Sequence, residues 1–467
     1  MVRRTMTTLA VPRADNPLLS VVMVTYGGWE WMKESLAALA EHTDPVYEVI
    51  VVDNASPDGT GERLQSGVTG ITLVLNDRNT GFGPAANQGA GLASGRFLCF
   101  LNPDALVEEG WLDPLIDVLE SDPLAGVVVP RLLNLDGTLQ EAGSLVGFDG
   151  ATWALGNGEN PDDLQYLFRR YVDYGSGACL LMPRKLFLEL GGFDPAYVPA
   201  YCEDVDLCLS ISARGLRTVY QPRSVVRHAR SASTDLERAQ ALIERNRRIL
   251  HHRWKDRLAQ RPWLVDLPYF PHRIIAARDA EQLDRILLIL DQVPANDPDD
   301  PVSMLVQEMA SLWPTARITL IASDPGTASE KEALPLLDAG VEVITNVNDW
   351  QDWFTRRRYH YSVVIVRRAA NVKGFGDVLQ ATQPQATRVY FAEDPADTES
   401  LRWAQIVLCP TEASRREVTT VSPRASVLEL NNGIGFQRAL IEAMAHLGVE
   451  PPEFEKSVRQ RAEAAIR

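Results

Sequence analysis

The chain has 467 residues, 46 Lys+Arg against 62 Asp+Glu, and a formal net charge of −16. With 45% hydrophobic and 23% charged residues it has globular proportions, which excludes a fibrous or disordered chain. At about 150 residues per domain the length implies two or three domains, and the acidic balance excludes a general nucleic-acid binder. The five cysteines form no CxxC pair, which fits reduced thiols better than a disulfide framework or a zinc site. Without a run of about 18–20 apolar residues, and with a polar tail over residues 1–16 in place of an apolar leader, the expected compartment is the cytoplasm. Peripheral contact with the inner face of the cell membrane stays open.

In chain order, Leu19–Thr25 is a continuous β-branched run and predicts a strand buried on both faces. Trp29–Glu41 has helical spacing, Tyr47–Val52 is a second strand ending at Asp53, Gly59–Gln65 a helix and Ile71–Leu75 a third strand. A helix at Ala85–Ala93 and a strand at Arg96–Leu101 continue the alternation, with a further helix from Trp111 to Leu119. This β-α repeat predicts a parallel sheet with helices on both faces. Val127–Asp173, rich in glycine, reads as irregular and as a lid over residues 143–176. Then follow a strand at Ala178–Met182, helices at Arg184–Leu190 and Val205–Arg214, and short strands at Arg217–Tyr220 and Ser224–Arg227. A basic helix spans Leu236–Arg261. Residues 266–282 read as a linker, and strands at Arg285–Leu290, Arg317–Ala322, Val341–Ile344, Ser362–Val366, Arg388–Phe391 and Ile406–Leu408 open a second, doubly wound α/β domain over 283–467.

Ligands of open α/β sheets bind beyond the carboxyl ends of the strands. Thr25, Tyr26, Asp53, Asn79, Gly81, Asn102 and Asp104 occupy those ends. Asp53 can accept hydrogen bonds from a ribose or base, or cap its own turn. Asp104 can hold a divalent cation against a diphosphate, or cap the next helix. Glu203, Asp204 and Asp206 open a helix, where the dipole favours negative charge, and one of them can act as a general base. His228 follows a strand as a candidate metal ligand or a structural imidazole. GFGPAA at 81–86 matches the dinucleotide fingerprint only superficially, because it follows the third strand, so a dehydrogenase is set aside.

The ordered set VVMVTYGG, VVDNASPDGT, NTGFGPAANQGA, FLNPDALVEEGW, GSGACLLMPR, GGFDPAY, EDVDLCLSISARG and VVRHARSAST resembles the family 2 glycosyltransferases of GT-A fold, in their rhamnosyltransferase- and galactofuranosyltransferase-like branch. The resemblance covers about Leu19–Trp254 and places a GT-A domain over 17–265, basic helix included. It implies an inverting, metal-dependent transfer of a sugar, rhamnose among the candidates, from a dTDP- or UDP-sugar to a glycan or polyprenyl-linked acceptor in cell-wall or surface polysaccharide synthesis. By that resemblance Thr25, Tyr26, Asp53, Asn79 and Gly81 line the nucleotide pocket. Asn102 and Asp104 stand at the family's acidic metal motif, where Asn102 replaces the first acid. Asp104 and His228 would hold Mn²⁺ or Mg²⁺. Asp204, next to Glu203, matches the catalytic base.

The basic helix reads either as a contact for anionic lipid or as a face paired with acids of the second domain. RILLILDQVPANDPDDP, YHYSVVIVRR and ELNNGIG resemble, more weakly, the acceptor-side half of a GT-B glycosyltransferase over about 283–435. About 30 residues follow, too few for the other half, so this domain reads as a scaffold, an acceptor-binding module, or the remnant or truncated part of a larger enzyme. The competing reading of the whole chain is a catalytically silent sugar-nucleotide or glycan-binding scaffold.

Overall fold

The structure is a computed structural model. It describes residues 8–429 apart from 45, 231–235, 265–270, 281–283, 295–300, 311–315, 325–329, 346, 393–397 and 423–425. The NG turn of ELNNGIG and the segment after it lie outside the described residues. The chain divides into two units: Met1–Asp162 with Arg170–Asp266, and Asp163–Arg169 with Leu267–Arg467.

The first unit opens with β1 (Leu19–Thr25), α1 (Trp29–His42), β2 (Tyr47–Asp53), α2 (Thr60–Gly67), β3 (Ile71–Leu75), α3 (Phe82–Leu92) and β4 (Phe97–Leu101). Every residue of β1, β2 and β4 is buried, as expected of parallel strands covered on both faces. Pro84 falls in the first turn of α3, where its missing N–H costs nothing. β5 (Ala105–Val107), α4 (Asp113–Ser121), β6 (Ala125–Leu133), β7 (Leu139–Glu141), β8 (Arg170–Val172) and β9 (Cys179–Pro183) follow. The unit closes with α5 (Arg184–Leu190), α6 (Glu203–Ala213), β10 (Arg217–His228) and α7 (Leu236–Leu258). The main sheet has the order β8-β10-β6-β9-β4-β1-β2-β3, with β5 paired to β10 and β7 to β6.

Two expectations change here. The sheet is mixed rather than parallel, because β9 runs antiparallel to β4 and β6. The two short strands near 217–227 are one strand, β10, interrupted by a register shift between Gln221 and Val225. The glycine-rich stretch is also more ordered than its composition suggests. Ser144–Val146 pairs with Thr152–Ala154 as a hairpin, and Phe148 N–H donates to Pro262 O at 2.9 Å. Arg247 of α7 meets Asp149, and Arg261 meets Asp173. These ties hold the segment expected to be a lid against α7.

The second unit is a seven-stranded parallel sheet. Its strands are β11 (Asp284–Leu290), β12 (Ala316–Ala322), β13 (Glu342–Ile344), β14 (Val363–Arg367), β15 (Thr387–Phe391), β16 (Ile406–Cys409) and β17 (Ser426–Glu429), in the order β13-β12-β11-β14-β15-β16-β17. Alternate residues face opposite sides: Ile286, Leu288 and Leu290 pack with Val302, Leu305 and Met309, whereas Leu287 and Ile289 pack with Val372, Phe375 and Leu379. Pro271–Arg278, inside the expected linker, is helical. It delivers Arg278 and Asp279 to a buried network at the amino ends of the strands. Asp279 meets Arg278, Arg317 and His360, and Glu342 meets Arg278 and Arg357.

Burial pushes the Glu342 carboxyl up, but Arg278 and Arg357 outweigh it and bring it down to about 2. Its stabilising contribution is therefore present above the ordinary value of 4.5 and is lost as pH falls toward about 2. Asp279→Asn, which leaves buried guanidinium charge uncompensated, should destabilise the unit by about 3–5 kcal/mol in a urea unfolding curve.

Candidate active site

The carboxyl ends of β1 and β2 are tied side by side, with Thr25 opposite Asp53 and Asn54 N–H donating to Thr25 O at 2.8 Å. Thr25 Oγ1 donates to Gly27 O, and the Gly27 and Gly28 amides donate to Ser56 Oγ and Asp58 Oδ2. Burial raises the Asp58 carboxyl, but the Thr60 hydroxyl and the Gly28 amide outweigh it and hold it below the ordinary value. Tyr26 is half-exposed beside this turn. Asp53 is buried. Its Oδ2 accepts from Ser56 N–H at 3.2 Å, and its Oδ1 has no hydrogen-bond partner among the described residues.

The next loop is fixed by Asn54, the residue after Asp53. Its Nδ2 donates to Asn79 Oδ1 at 2.9 Å and to Gly81 O at 3.2 Å, while its Oδ1 accepts from Asn76 and Thr80. Asn79 Oδ1 also accepts from Gly81 N–H. Gly81 has φ 91° and a Cβ there would lie 2.9 Å from Pro199 O, so only glycine fits where this loop meets residues 198–199.

On the far side of β4, Asn102 N–H donates to Ala178 O at 2.9 Å. The pairing of β5 with β10 sets Ala105 opposite His228, and Ala229 N–H donates to Asp104 O. That register brings Asp104 Oδ1 to 3.3 Å from His228 Nε2, with Asn102 Nδ2 at 3.4 Å from the same nitrogen. The imidazole's tautomer follows from its other contact. Gln140 Nε2 donates to Asn134 Oδ1 and to His228 O, so Gln140 Oε1 is the atom 2.8 Å from His228 Nδ1. Nδ1 therefore carries the hydrogen and Nε2 presents its lone pair to Asp104. With the hydrogen on Nδ1, Nε2 can accept from Asn102 Nδ2 or share a cation with Asp104. The carboxylate oxygen suits Mn²⁺ or Mg²⁺, whereas the imidazole nitrogen favours a transition metal over Mg²⁺. Among the described residues no group of three or more His, Cys, Asp or Glu side chains is arranged to hold a metal. Asp104 and His228 offer two side-chain donors at this point.

The third cluster forms where α6 begins. Tyr201 and Cys202 both have positive φ, 80° and 71°, and present Glu203 and Asp204 in the first turn. Asp204 is partly exposed. Its Oδ2 accepts from Gly177 N–H at 3.0 Å and its Oδ1 from Val205 N–H at 2.8 Å. Desolvation raises its carboxyl above the ordinary value, and the two amides pull back against that rise. Glu203 is buried, and desolvation followed by repulsion from Asp204 pushes it up to about 8. Glu141, at the end of β7, is buried on Ser176 N–H at 3.0 Å. Desolvation first, and the charge of Asp204 with it, raise that carboxyl to about 7. Desolvation and the neighbouring Asp204 charge thus favour the neutral form of Glu203, whereas the two amides favour the charged form of Asp204.

Asp206 does something else. It accepts from Tyr197 Oη and Trp254 Nε1 and pairs with Arg253, which anchors α7 to α6. Asn246 extends the same anchor, donating to the carbonyls of Tyr197, Ala200 and Tyr201. The basic helix is thus largely committed to its own unit. Arg245 binds the Ala196 and Val198 carbonyls, Arg253 also binds Asp194, and Arg257 binds Ser212. Arg238, Arg248 and Lys255 are exposed. Among the described residues, Asp149, Asp194 and Asp206, which pair with arginines of α7, belong to the first unit.

Gln140 and Glu141 escaped the sequence reading because they lie in the stretch taken as irregular. The available signal was the Asp136-Gly137 turn followed by Leu-Gln-Glu, a short returning strand. Glu203→Gln should raise the thermal midpoint more at pH 7.5 than at pH 5. Wild type must hold a proton on Glu203 in the fold that the unfolded chain releases above 4.5, and that cost grows with pH up to about 8.

Residues 20–189 match the family model described as Glycosyl transferase family 2. The chain is 34% identical over 285 residues to the O-antigen biosynthesis protein RfbC of Myxococcus xanthus, covering 58% of this chain and 20% of that one. It is 30% identical over 251 residues to an N-acetylglucosaminyl-diphospho-decaprenol L-rhamnosyltransferase of Mycobacterium tuberculosis, covering 48% of this chain and 80% of the relative. Among solved structures, GalNAc-T7 with UDP, GalNAc and Mn²⁺ overlaps with a TM-score of 0.38 at 21% identity, over 46% of this chain and 44% of that one. Among the described residues no helix is long and apolar enough to cross a membrane.

Proposed function

The chain belongs to glycosyl transferase family 2 and is a glycosyltransferase, and from that premise we propose an inverting transfer from a nucleoside-diphosphate sugar with Asp204 as the base. One observation carries this assignment: Asp204 accepts from two backbone amides, Val205 and Gly177, which favour its charged form, and Gly177 is the residue before Ala178, whose carbonyl binds Asn102. The base and the Asn102–Asp104–His228 group thereby share one short stretch of backbone.

In this reading Thr25, Tyr26, Asp53 and the Asn79–Gly81 loop hold the nucleoside, and Asp104 and His228 flank the diphosphate. A divalent cation, when held by Asp104 and His228, supplies positive charge against the departing nucleoside diphosphate. Asp204 takes the proton of the acceptor hydroxyl, the hydroxyl oxygen bonds the anomeric carbon, and the bond from that carbon to the diphosphate oxygen breaks with its electron pair. A single displacement inverts the anomeric configuration and needs no covalent enzyme intermediate. Glu203, held toward its neutral form by burial and by the charge of Asp204, adds no second negative charge beside the base.

The names of the two relatives favour a deoxyhexose such as rhamnose as the sugar, a polyprenyl-linked glycan as the acceptor, and surface or cell-wall polysaccharide as the product. Such an acceptor would place the enzyme at the inner face of the membrane, with Arg238, Arg248 and Lys255 as the cations available to it.

The test is nucleoside diphosphate release from dTDP-rhamnose, UDP-galactofuranose, UDP-glucose and UDP-N-acetylglucosamine, with lipid-linked acceptors, with Mn²⁺ or EDTA. One donor should turn over in Mn²⁺ only, and Asp204→Asn should lower kcat by about 10²–10⁴ with the fold intact. Turnover by Asp204→Asn at the wild-type rate would refute the base assignment. Gln140→Ala frees the His228 tautomer and should weaken Mn²⁺ binding about 10–100-fold in a titration without substrate.

A further inference from the structure

We propose that Glu141 is a positioning residue for the base: by holding the Ser176 amide it aims the next amide, Gly177 N–H, at Asp204. This inference rests on Asp204 being the base. Consecutive N–H groups of one tripeptide serve two carboxyls, Ser176 N–H to Glu141 Oε1 at 3.0 Å and Gly177 N–H to Asp204 Oδ2 at 3.0 Å.

The tripeptide is gripped on its other sides as well. A Cβ on Gly175 would lie 2.5 Å from Val129, so this residue is pressed against β6 and must be glycine. Ser176 Oγ accepts from Ala178 N–H at 3.2 Å, and Ala178 O receives Asn102 N–H. Gly175 also makes a backbone hydrogen bond with Cys208, and Glu141 adds a hold on this turn from the end of β7. The residue before it, Gln140, holds His228. Two neighbours on one short strand thus serve the two chemical centres.

The charged and titratable groups that act on Glu141 are Asp204 from α6 and Arg230 beyond β10. Tyr174, Cys208 and Tyr220 feel its charge in turn. A buried carboxyl is costly where an amide side chain would satisfy Ser176 equally well. The acceptor oxygen, not the charge, is what the turn requires. Losing it lets Gly177 N–H drift from Asp204, which removes a hydrogen bond to the charged form and raises the proton affinity of the base.

The experiment compares pH–rate profiles of wild type, Glu141→Ala, Glu141→Gln and Glu141→Asp, each checked for an intact fold by circular dichroism. Glu141→Ala should lower kcat about 10-fold or more, leave the donor KM within about twofold, and move the acid limb up by about one pH unit. Glu141→Gln keeps an acceptor at the same reach and should restore both. Glu141→Asp, one methylene short, should resemble Glu141→Ala and serves as the test if the alanine variant does not fold. A folded Glu141→Ala or Glu141→Asp with a wild-type acid limb, or a Glu141→Gln as impaired as Glu141→Ala, would overturn the inference. Asp204→Asn run in parallel separates the cases: if it retains activity the base assignment fails, whereas if it is inactive and Glu141→Ala is normal only the positioning role fails.

Discussion

The hydrogen bond from the Gly177 amide to Asp204 is the constraint on which the site depends. A carboxylate at the start of a buried helix turn loses hydration, and left alone it would keep its proton. Two backbone amides, Gly177 and Val205, offset that loss without adding a formal positive charge. Their effect is selective. Glu203, one residue away, is more deeply buried, its Oε2 has no partner among the described residues, and desolvation together with the charge of Asp204 raises its carboxyl to about 8 despite two backbone amides. Burial and mutual repulsion, set against the backbone amides, thereby push the two neighbouring carboxyls apart.

The same economy governs the other half of the site. His228 is set by strand pairing, which puts it opposite Ala105 and therefore beside Asp104. Its tautomer is set by Gln140, whose own orientation is fixed by Asn134 and the His228 carbonyl. Asn102, which stands where the resembling family carries an acid, joins this group through Nδ2 and not through a second carboxylate. The donor set is then one carboxylate and one imidazole. The nucleotide side is organised in like manner by Asn54, which spends both ends of its amide on the Asn76–Gly81 loop.

Much of this was legible in the sequence. Fully buried β-branched runs marked β1 and β2 to within a residue, and strand-end positions identified Thr25, Asp53, Asp104 and His228 as candidates. The second sheet was legible for the same reason, because its strands are apolar on both faces. Antiparallel β9 was not, since a five-residue apolar strand reads the same in either direction. Gln140 and Glu141 were hidden because their strand has three residues and no alternation long enough to detect. The partners of the basic helix were hidden too, because a count of arginines carries no information about which carbonyls they reach. Residues 163–169, which precede β8, belong with the second unit, and nothing in their composition signals it.

The account turns on which carboxyl of the α6 turn is ionised. Site-resolved carbon NMR of labelled Asp and Glu side chains, titrated from pH 3 to 9 in the free protein, reads this directly. Asp204 should ionise first, above the ordinary aspartate value, while Glu141 and Glu203 follow near about 7 and about 8. A titration in which Glu203 ionises below Asp204 would contradict the account and move the role of base to Glu203.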